Sequence, residues 1–452
     1  METTWKLGDI MCSILFSTKN NYKNYNELNY YLKFRGPDYT SMVEINEHLY
    51  IHNLLSITGE FKTQPFYDDD IALIYNGEIY NYRDFGNYNT DGECIIPLYK
   101  EFGTNFIKKL DGEFAICLVD YRKKIVLIST DTFKTKPLFI GIDNNNISCS
   151  TYKQPLQLLD YKQIFKAKPN TYYVFNLDNG FYNSYNIYDF DLKQFKDNYD
   201  DWINSFRKSI IKRVSNTNKN IFIGLSSGYD SGLIHSELIK TNTKCFTYTL
   251  IGSENDYIIN QRILSNSDNI KSKIQSKNDD LYINSHNWIK KTTEPFLYTI
   301  RSGSSNYNEF NTLLINDYGS NNFATICKMA IQDKCVICLS GTGADEIISD
   351  YGFNNVKIYN HSTFGGYFPE DLKSIFPWPS FYESTMESYI AKEEYVGGSF
   401  GIEMRYPFLD REVVQEFLWL KQELKNKEYK APIDYYFNKF NIPYEKGIKR
   451  GF

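Results

Sequence analysis

Asp230 and Asp345 are the two side chains around which a phosphate chemistry can be assembled. The first lies in Ser226-Ser227-Gly228-Tyr229-Asp230-Ser231, after the apolar run Ile221-Phe222-Ile223-Gly224-Leu225 and before a helical stretch through Leu233, Ile234 and Leu238. A loop between a buried strand and a helix start aims backbone N–H groups and the positive helix end at its occupant, which suits a phosphate. Gly228 permits close backbone approach, the serine hydroxyls donate hydrogen bonds, and Asp230 can hold a Mg²⁺ that bridges phosphate oxygens. By itself the segment reads equally well as a polar turn with Ser231 capping the helix. A second loop decides between the two. Val336-Ile337-Cys338-Leu339 runs into Ser340-Gly341-Thr342-Gly343-Ala344-Asp345-Glu346, again strand, glycine-rich loop and helix. Two such loops at the carboxyl ends of parallel strands face one crevice, where Asp230 and Asp345 supply the carboxylates of a Mg-pyrophosphate site. Cys245 to Leu250, with Tyr248 at its centre, is placed to offer backbone contacts to an adenine. The expected ATP-binding set is Leu225, Ser226, Ser227, Gly228, Asp230, Ser231, Tyr248, Ser340, Gly341 and Asp345, with Asp230 and Asp345 as metal ligands.

The elements that carry these loops belong to the second of two units, as 452 residues exceed one ordinary core. From Trp202, residues Ile203, Phe206, Ile210, Ile211 and Val214 recur at helical spacing, and strands then alternate with helices, which implies a parallel sheet. Before that, short runs such as Ile71–Tyr75, Phe114–Val119 and Ile125–Ile128 alternate with Asn, Gly and Asp clusters, the pattern of stacked antiparallel sheets. The change of character falls between about Tyr185 and Asp201, giving units over 12–185 and 200–452. A net charge of -5 argues against non-specific nucleic-acid binding. No apolar run has the length of a membrane span, the start lacks a secretory profile, and eight scattered cysteines fit a reducing, cytoplasmic compartment. Cys335-x-x-Cys338 reads as strand core instead of a zinc site, because Val336, Ile337 and Leu339 surround it and no second ligand pair follows. The five histidines are isolated and carry no metal-ligand spacing.

These loops resemble those of asparagine synthetase and its relatives, and Gly401-Ile402-Glu403-Met404-Arg405-Tyr406-Pro407-Phe408-Leu409-Asp410 resembles a third block of that family. Near the end, Lys449 matches a family lysine placed by the phosphates. The N-terminal half carries the glutaminase landmarks in order: Met11-Cys12-Ser13-Ile14, Arg35-Gly36-Pro37-Asp38, Asn76-Gly77-Glu78, Thr90-Asp91-Gly92-Glu93, Leu110-Asp111-Gly112-Glu113 and Lys136-Pro137-Leu138. The resemblance implies an N-terminal nucleophile (Ntn) αββα sandwich followed by a parallel-sheet α/β synthetase domain of the adenine-nucleotide hydrolase type. It implies ATP, aspartate, glutamine and Mg²⁺ as substrates and cofactor, no nucleic-acid or membrane partner, and allows a homodimer. Aspartate would become an acyl-adenylate with Lys449 offsetting charge, and ammonia from glutamine would displace AMP. Cys12 would be the nucleophile with its own α-amine as base, Asn76 and Gly77 the oxyanion hole, and Asp91, beside Glu78, the partner of the glutamine α-ammonium.

Three positions depart from the family pattern. Cys12 is preceded by eleven residues, so its amine is free only if Met1 to Met11 is removed or translation starts at Met11. Leu54 stands where the family places the arginine that clamps the glutamine carboxylate, and a leucine cannot replace a bidentate donor. Thr342 stands where asparagine synthetases usually carry glutamate and β-lactam synthetases tyrosine, so it influences the acceptor. Two rival readings follow from these departures: an adenylating amide ligase with an inactive glutaminase, as in β-lactam synthetases, and a catalytically silent binding or storage protein. Glu403 is either an acid or base near the acceptor or an anchor for Arg405.

Overall fold

The computed structural model describes residues 12–450 apart from 20–21, 253, 266–269, 277–278 and 303–307. The expected removal of Met1 to Met11 concerns residues outside this set. In the first half, alternation along each strand decides the layering. In Ser13–Ser17, Ile14 and Phe16 point to a core shared with Ala72, Ile74, Ala115, Cys117 and Val119, whereas Leu15 points the other way. Along Ile71–Ile79 the opposite set, Ile71, Leu73 and Tyr75, packs on Ile95, Leu98 and Tyr99 of the helix Ile95–Phe102. Leu28 and Leu156, from the short helices Tyr25–Leu28 and Gln154–Leu158, join Leu15 on the other outer face. The result is helix, sheet, sheet, helix, as expected.

Each sheet has six antiparallel strands. One runs Gln163–Lys166, Phe139–Asp143, Asn146–Ser150, Ser13–Ser17, His48–Leu54, Tyr39–Ile45. The other runs Tyr182–Asn186, Thr171–Asn176, Ile125–Thr130, Gly112–Asp120, Ile71–Ile79, Phe66–Asp68.

The second half is built on five parallel strands in the order Ile270–Ser276, Cys245–Ile251, Asn220–Gly224, Cys335–Leu339, Glu403–Arg405. The three middle strands are largely apolar and buried on both faces, as a parallel sheet requires. Cys335 and Cys338 lie on the fourth of these strands, both buried. The helix Tyr318–Gln332 packs across the middle strands. Two features had no counterpart in the sequence reading: the edge strand Glu403–Arg405, and an antiparallel hairpin, Leu297–Ser302 with Asn308–Leu313, outside the parallel sheet. Among the described residues no helix is long and apolar enough to cross a membrane.

The two halves meet through buried charges. Arg35 pairs with Glu394 at 2.7 Å, and Lys136 reaches the other oxygen of Glu394 at 2.9 Å. Arg213 pairs with Glu113 at 2.8 Å and Arg405 with Glu78 at 3.2 Å. Lys212 pairs with Asp111 and Lys134 with Glu387, each at 2.7 Å. The connecting stretch is docked as well, since Phe195 and Lys196 both donate backbone N–H bonds to the Trp419 carbonyl.

Candidate functional site

The strands Asn220–Gly224 and Cys335–Leu339 are neighbours, so the loops that leave their carboxyl ends stand side by side. The approach is close enough that a Cβ on Gly341 would lie 2.8 Å from the Cβ of Asp230, and only glycine fits there. Asp230 opens the helix Tyr229–Lys240, and Asp345 opens the wide turn Asp345–Ser349. A lysine not singled out from the sequence lies between them. Lys430 Nζ is 2.6 and 2.8 Å from the two oxygens of Asp230 and 2.9 Å from Asp345 Oδ1. Tyr429 donates to Asp345 Oδ1 at 3.0 Å, and Lys449 reaches Asp345 Oδ2 at 2.6 Å. Burial works against ionisation of Asp345, but Lys430 and Lys449 outweigh it and hold the carboxyl well below the usual range.

This cleft is lined by Ser226, Asp230, Ser231, Ser340, Gly341, Thr342, Asp345 and Lys449 among the expected residues, and by Lys392 and Glu393 in addition. Ser231 does not cap the helix through its side chain; its hydroxyl instead accepts from the Ser226 N–H at 3.0 Å. Ser227 turns away, and both its N–H and its hydroxyl donate to Glu254 at 2.6 Å. The Gly228 N–H donates to the Ser226 hydroxyl. Tyr248 lies on the strand Cys245–Ile251 and Leu225 directly follows Asn220–Gly224; neither lines the cleft. The Tyr248 carbonyl accepts from the Leu225 N–H at 2.9 Å, and its hydroxyl donates to Asp333 at 2.6 Å.

As metal ligands, Asp230 and Asp345 are hard oxygen donors on facing loops. No cluster of three ligating side chains occurs among the described residues. That donor set fits an ion such as Mg²⁺, which binds through one or two carboxylates and completes its shell with water and substrate phosphates.

In the first half a smaller pocket gathers Cys12, Leu54, Gly77, Glu78 and Asp91. Cys12 precedes the strand Ser13–Ser17, and its Sγ accepts from the Leu55 N–H at 3.2 Å. Burial pushes the thiol far up. The Arg35 guanidinium holds the Cys12 carbonyl at 3.1 Å. Gly77 has φ +127, and a Cβ there would lie 1.9 Å from the Glu113 carbonyl, so the strand can turn its amide here only with glycine. Asn76 is 1% exposed, and among the described residues neither its Nδ2 nor its Oδ1 has a hydrogen-bond partner. A buried carboxamide with both ends free is a costly arrangement that suits a group awaiting a ligand. Asp91 accepts from the Tyr75 hydroxyl at 2.7 Å and the Ile79 N–H at 2.8 Å, and burial pushes its carboxyl up to about 6. Thr58 donates to Glu78 at 2.6 Å. Glu403 lines this pocket and also anchors Arg405, whose Nε lies 2.6 Å from Glu403 Oε1. Leu54 is buried in the wall. Among the described residues Lys62 is the one basic side chain in the lining; it is half exposed and 3.0 Å from Glu93.

Comparison with known proteins agrees with both halves. Residues 11–176 match the family described as a glutamine amidotransferase domain. A putative glutamine-hydrolysing asparagine synthetase of Methanocaldococcus jannaschii is 28% identical over 417 residues, covering 83% of this chain and 70% of that protein. A glutamine-hydrolysing asparagine synthetase of Arabidopsis thaliana is 26% identical over 421 residues, covering 88% and 68%. Asparagine synthetase B of Escherichia coli is 30% identical over 245 residues, covering 50% and 44%.

Proposed function

The chain belongs to the family of glutamine-hydrolysing asparagine synthetases, and from that premise we propose that it is an ATP-dependent ligase that converts aspartate to asparagine with nitrogen from glutamine. The observation that carries the reading is the pairing of Asp230 and Asp345 across two touching loops, with Lys430 and Lys449 bound to them. In the synthetase cleft the aspartate β-carboxylate attacks the α-phosphate of ATP, and pyrophosphate leaves. Asp230 and Asp345 would hold a Mg²⁺, which offsets charge on the pyrophosphate. Lys449 and Lys430, two fixed ammonium groups in a partly desolvated cleft, stabilise the negative charge that builds on the phosphates. In the other pocket, once residues 1–11 are removed, the freed Cys12 α-amine takes the thiol proton and Sγ attacks the glutamine amide carbon. The Gly77 N–H and Asn76 Nδ2 receive the oxyanion, the proton passes to the leaving nitrogen, and ammonia departs toward the seam between the halves, where Glu403 and Arg405 stand, leaving a thioester that water hydrolyses to glutamate.

The primary test is aspartate-dependent exchange of radiolabelled pyrophosphate into ATP, screened against other carboxylic acids. Exchange with aspartate above all others is expected. Exchange with a different acid only, or with none, would end this reading.

Two further predictions concern glutamine. Leu54 provides no charge for its α-carboxylate, and Lys62 is the lining residue that can. Lys62→Ala is therefore expected to raise the KM for glutamine by roughly threefold to fivefold, the upper scale of one exposed charge pair, relative to the KM for ammonium salts. Equal KM ratios in wild type and variant would remove Lys62 from the site. Asp91 must be ionised to meet the substrate ammonium, and its carboxyl titrates at about 6. Bound glutamine favours the ionised form, so its affinity is present above that value and is lost as pH falls through it. A glutamine KM that does not rise between pH 7 and 5 would contradict the assignment.

A further inference from the structure

The helix Thr385–Phe400 carries two adjacent carboxylates with different destinations. Successive helical residues are about 100° apart around the axis. Glu394 therefore turns to Arg35 and Lys136 at the seam, and Glu393 turns to the nucleotide cleft. Glu393 Oε1 accepts from the Thr342 hydroxyl at 2.9 Å. Its other oxygen, Oε2, is buried and has no hydrogen-bond partner among the described residues. Nothing in the ion-pair network around Asp230 and Asp345 uses it. Thr342 itself has no ionisable group and cannot take a proton at neutral pH. A carboxylate from a distant helix thus sits against position 342, in the cleft where an acyl-adenylate would form.

We propose that Glu393 is the catalytic base for the second half-reaction, accepting a proton from the amine that attacks the acyl-adenylate, with Thr342 orienting its carboxylate. The assignment rests on the ligase reading above. In this step the nitrogen lone pair of ammonia forms the bond to the acyl carbon, and the bond from that carbon to the AMP phosphate oxygen breaks with its electrons leaving on AMP. One surplus proton passes from nitrogen to Glu393 Oε2. A base with these properties must be neutral enough to be buried and basic enough to receive a proton. Burial pushes the Glu393 carboxyl up to about 7, while Ser340, Lys392 and Thr342 draw it down and Glu346 raises it. Facing it from the other packed elements are Cys327 of the helix Tyr318–Gln332, Cys338 of the strand Cys335–Leu339, and Tyr406.

The experiment compares wild type, Glu393→Gln and Glu393→Asp with ammonium chloride as nitrogen source, recording asparagine formation and pyrophosphate exchange on the same samples. Glutamine keeps the shape and an acceptor for Thr342, and exchange reports that the cleft is folded. The ratio of amide formation to exchange is expected to fall by about 10²-fold or more in Glu393→Gln, the usual worth of a positioned base, with partial recovery in Glu393→Asp. At constant free ammonia the wild-type ratio rises through about pH 7, and Glu393→Gln loses that inflection. A ratio within threefold of wild type, with the inflection intact, would overturn the assignment alone. Absence of wild-type exchange with aspartate would instead overturn the ligase reading and take the assignment with it.

Discussion

Asp230→Ala is expected to eliminate pyrophosphate exchange, a loss on the order of 10³-fold or more given what single preorganised electrostatic groups contribute. The change removes two things together. One is a carboxylate of the proposed metal-binding pair, and the other is the bidentate anchor that fixes Lys430 at 2.6 and 2.8 Å. Without that anchor Lys430 keeps Asp345 and becomes free to neutralise it more fully, so the second carboxylate is weakened as a ligand too. Folding should survive, because the ammonium retains Asp345 at 2.9 Å and the loop stays against Gly341. Circular dichroism and a thermal scan on the variant separate loss of chemistry from loss of structure. Exchange within tenfold of wild type would show that the cleft has been assigned to the wrong residues.

The second large effect is on stability. Glu394→Ala leaves Arg35 and Lys136 buried with no opposite charge at that position, and breaking a buried pair from one side costs about 3–5 kcal/mol. Both cations are 1% exposed or less, so water cannot take over. The Arg35 guanidinium also holds the Cys12 carbonyl, so glutamine hydrolysis should decline along with stability. Denaturant unfolding monitored by tryptophan fluorescence measures the first effect and glutamate release the second. A midpoint equal to wild type would mean that the seam tolerates the unpaired charges by opening.

The two facing loops were legible in the sequence because strand, glycine-rich loop and helix start are local patterns, and Asp230 and Asp345 lie inside them. Asn76, Gly77 and Asp91 were legible for a different reason, as ordered motifs that only a resemblance could bring together. The engagement of Tyr248 was not legible, because strand periodicity alone does not show that its carbonyl meets the Leu225 N–H beside the strand Asn220–Gly224. Lys430 was invisible because one lysine before Ala431-Pro432 looks like any helix start until tertiary contacts place it between two carboxylates. Glu393 was hidden likewise, since its hydrogen bond to Thr342 spans 51 residues of chain. The hairpin formed by Leu297–Ser302 and Asn308–Leu313 left no clear alternation against its surroundings, and no chemical motif marked it.

The ion pairs along the seam bear on how such a protein can change over generations. Arg35, Lys136, Glu113 and Glu78 on one side are matched by Glu394, Arg213 and Arg405 on the other. Grafting either half onto a foreign partner would present buried charges to side chains not selected to meet them. A change at one of these positions therefore strands its buried partner across the joint unless a second change answers it.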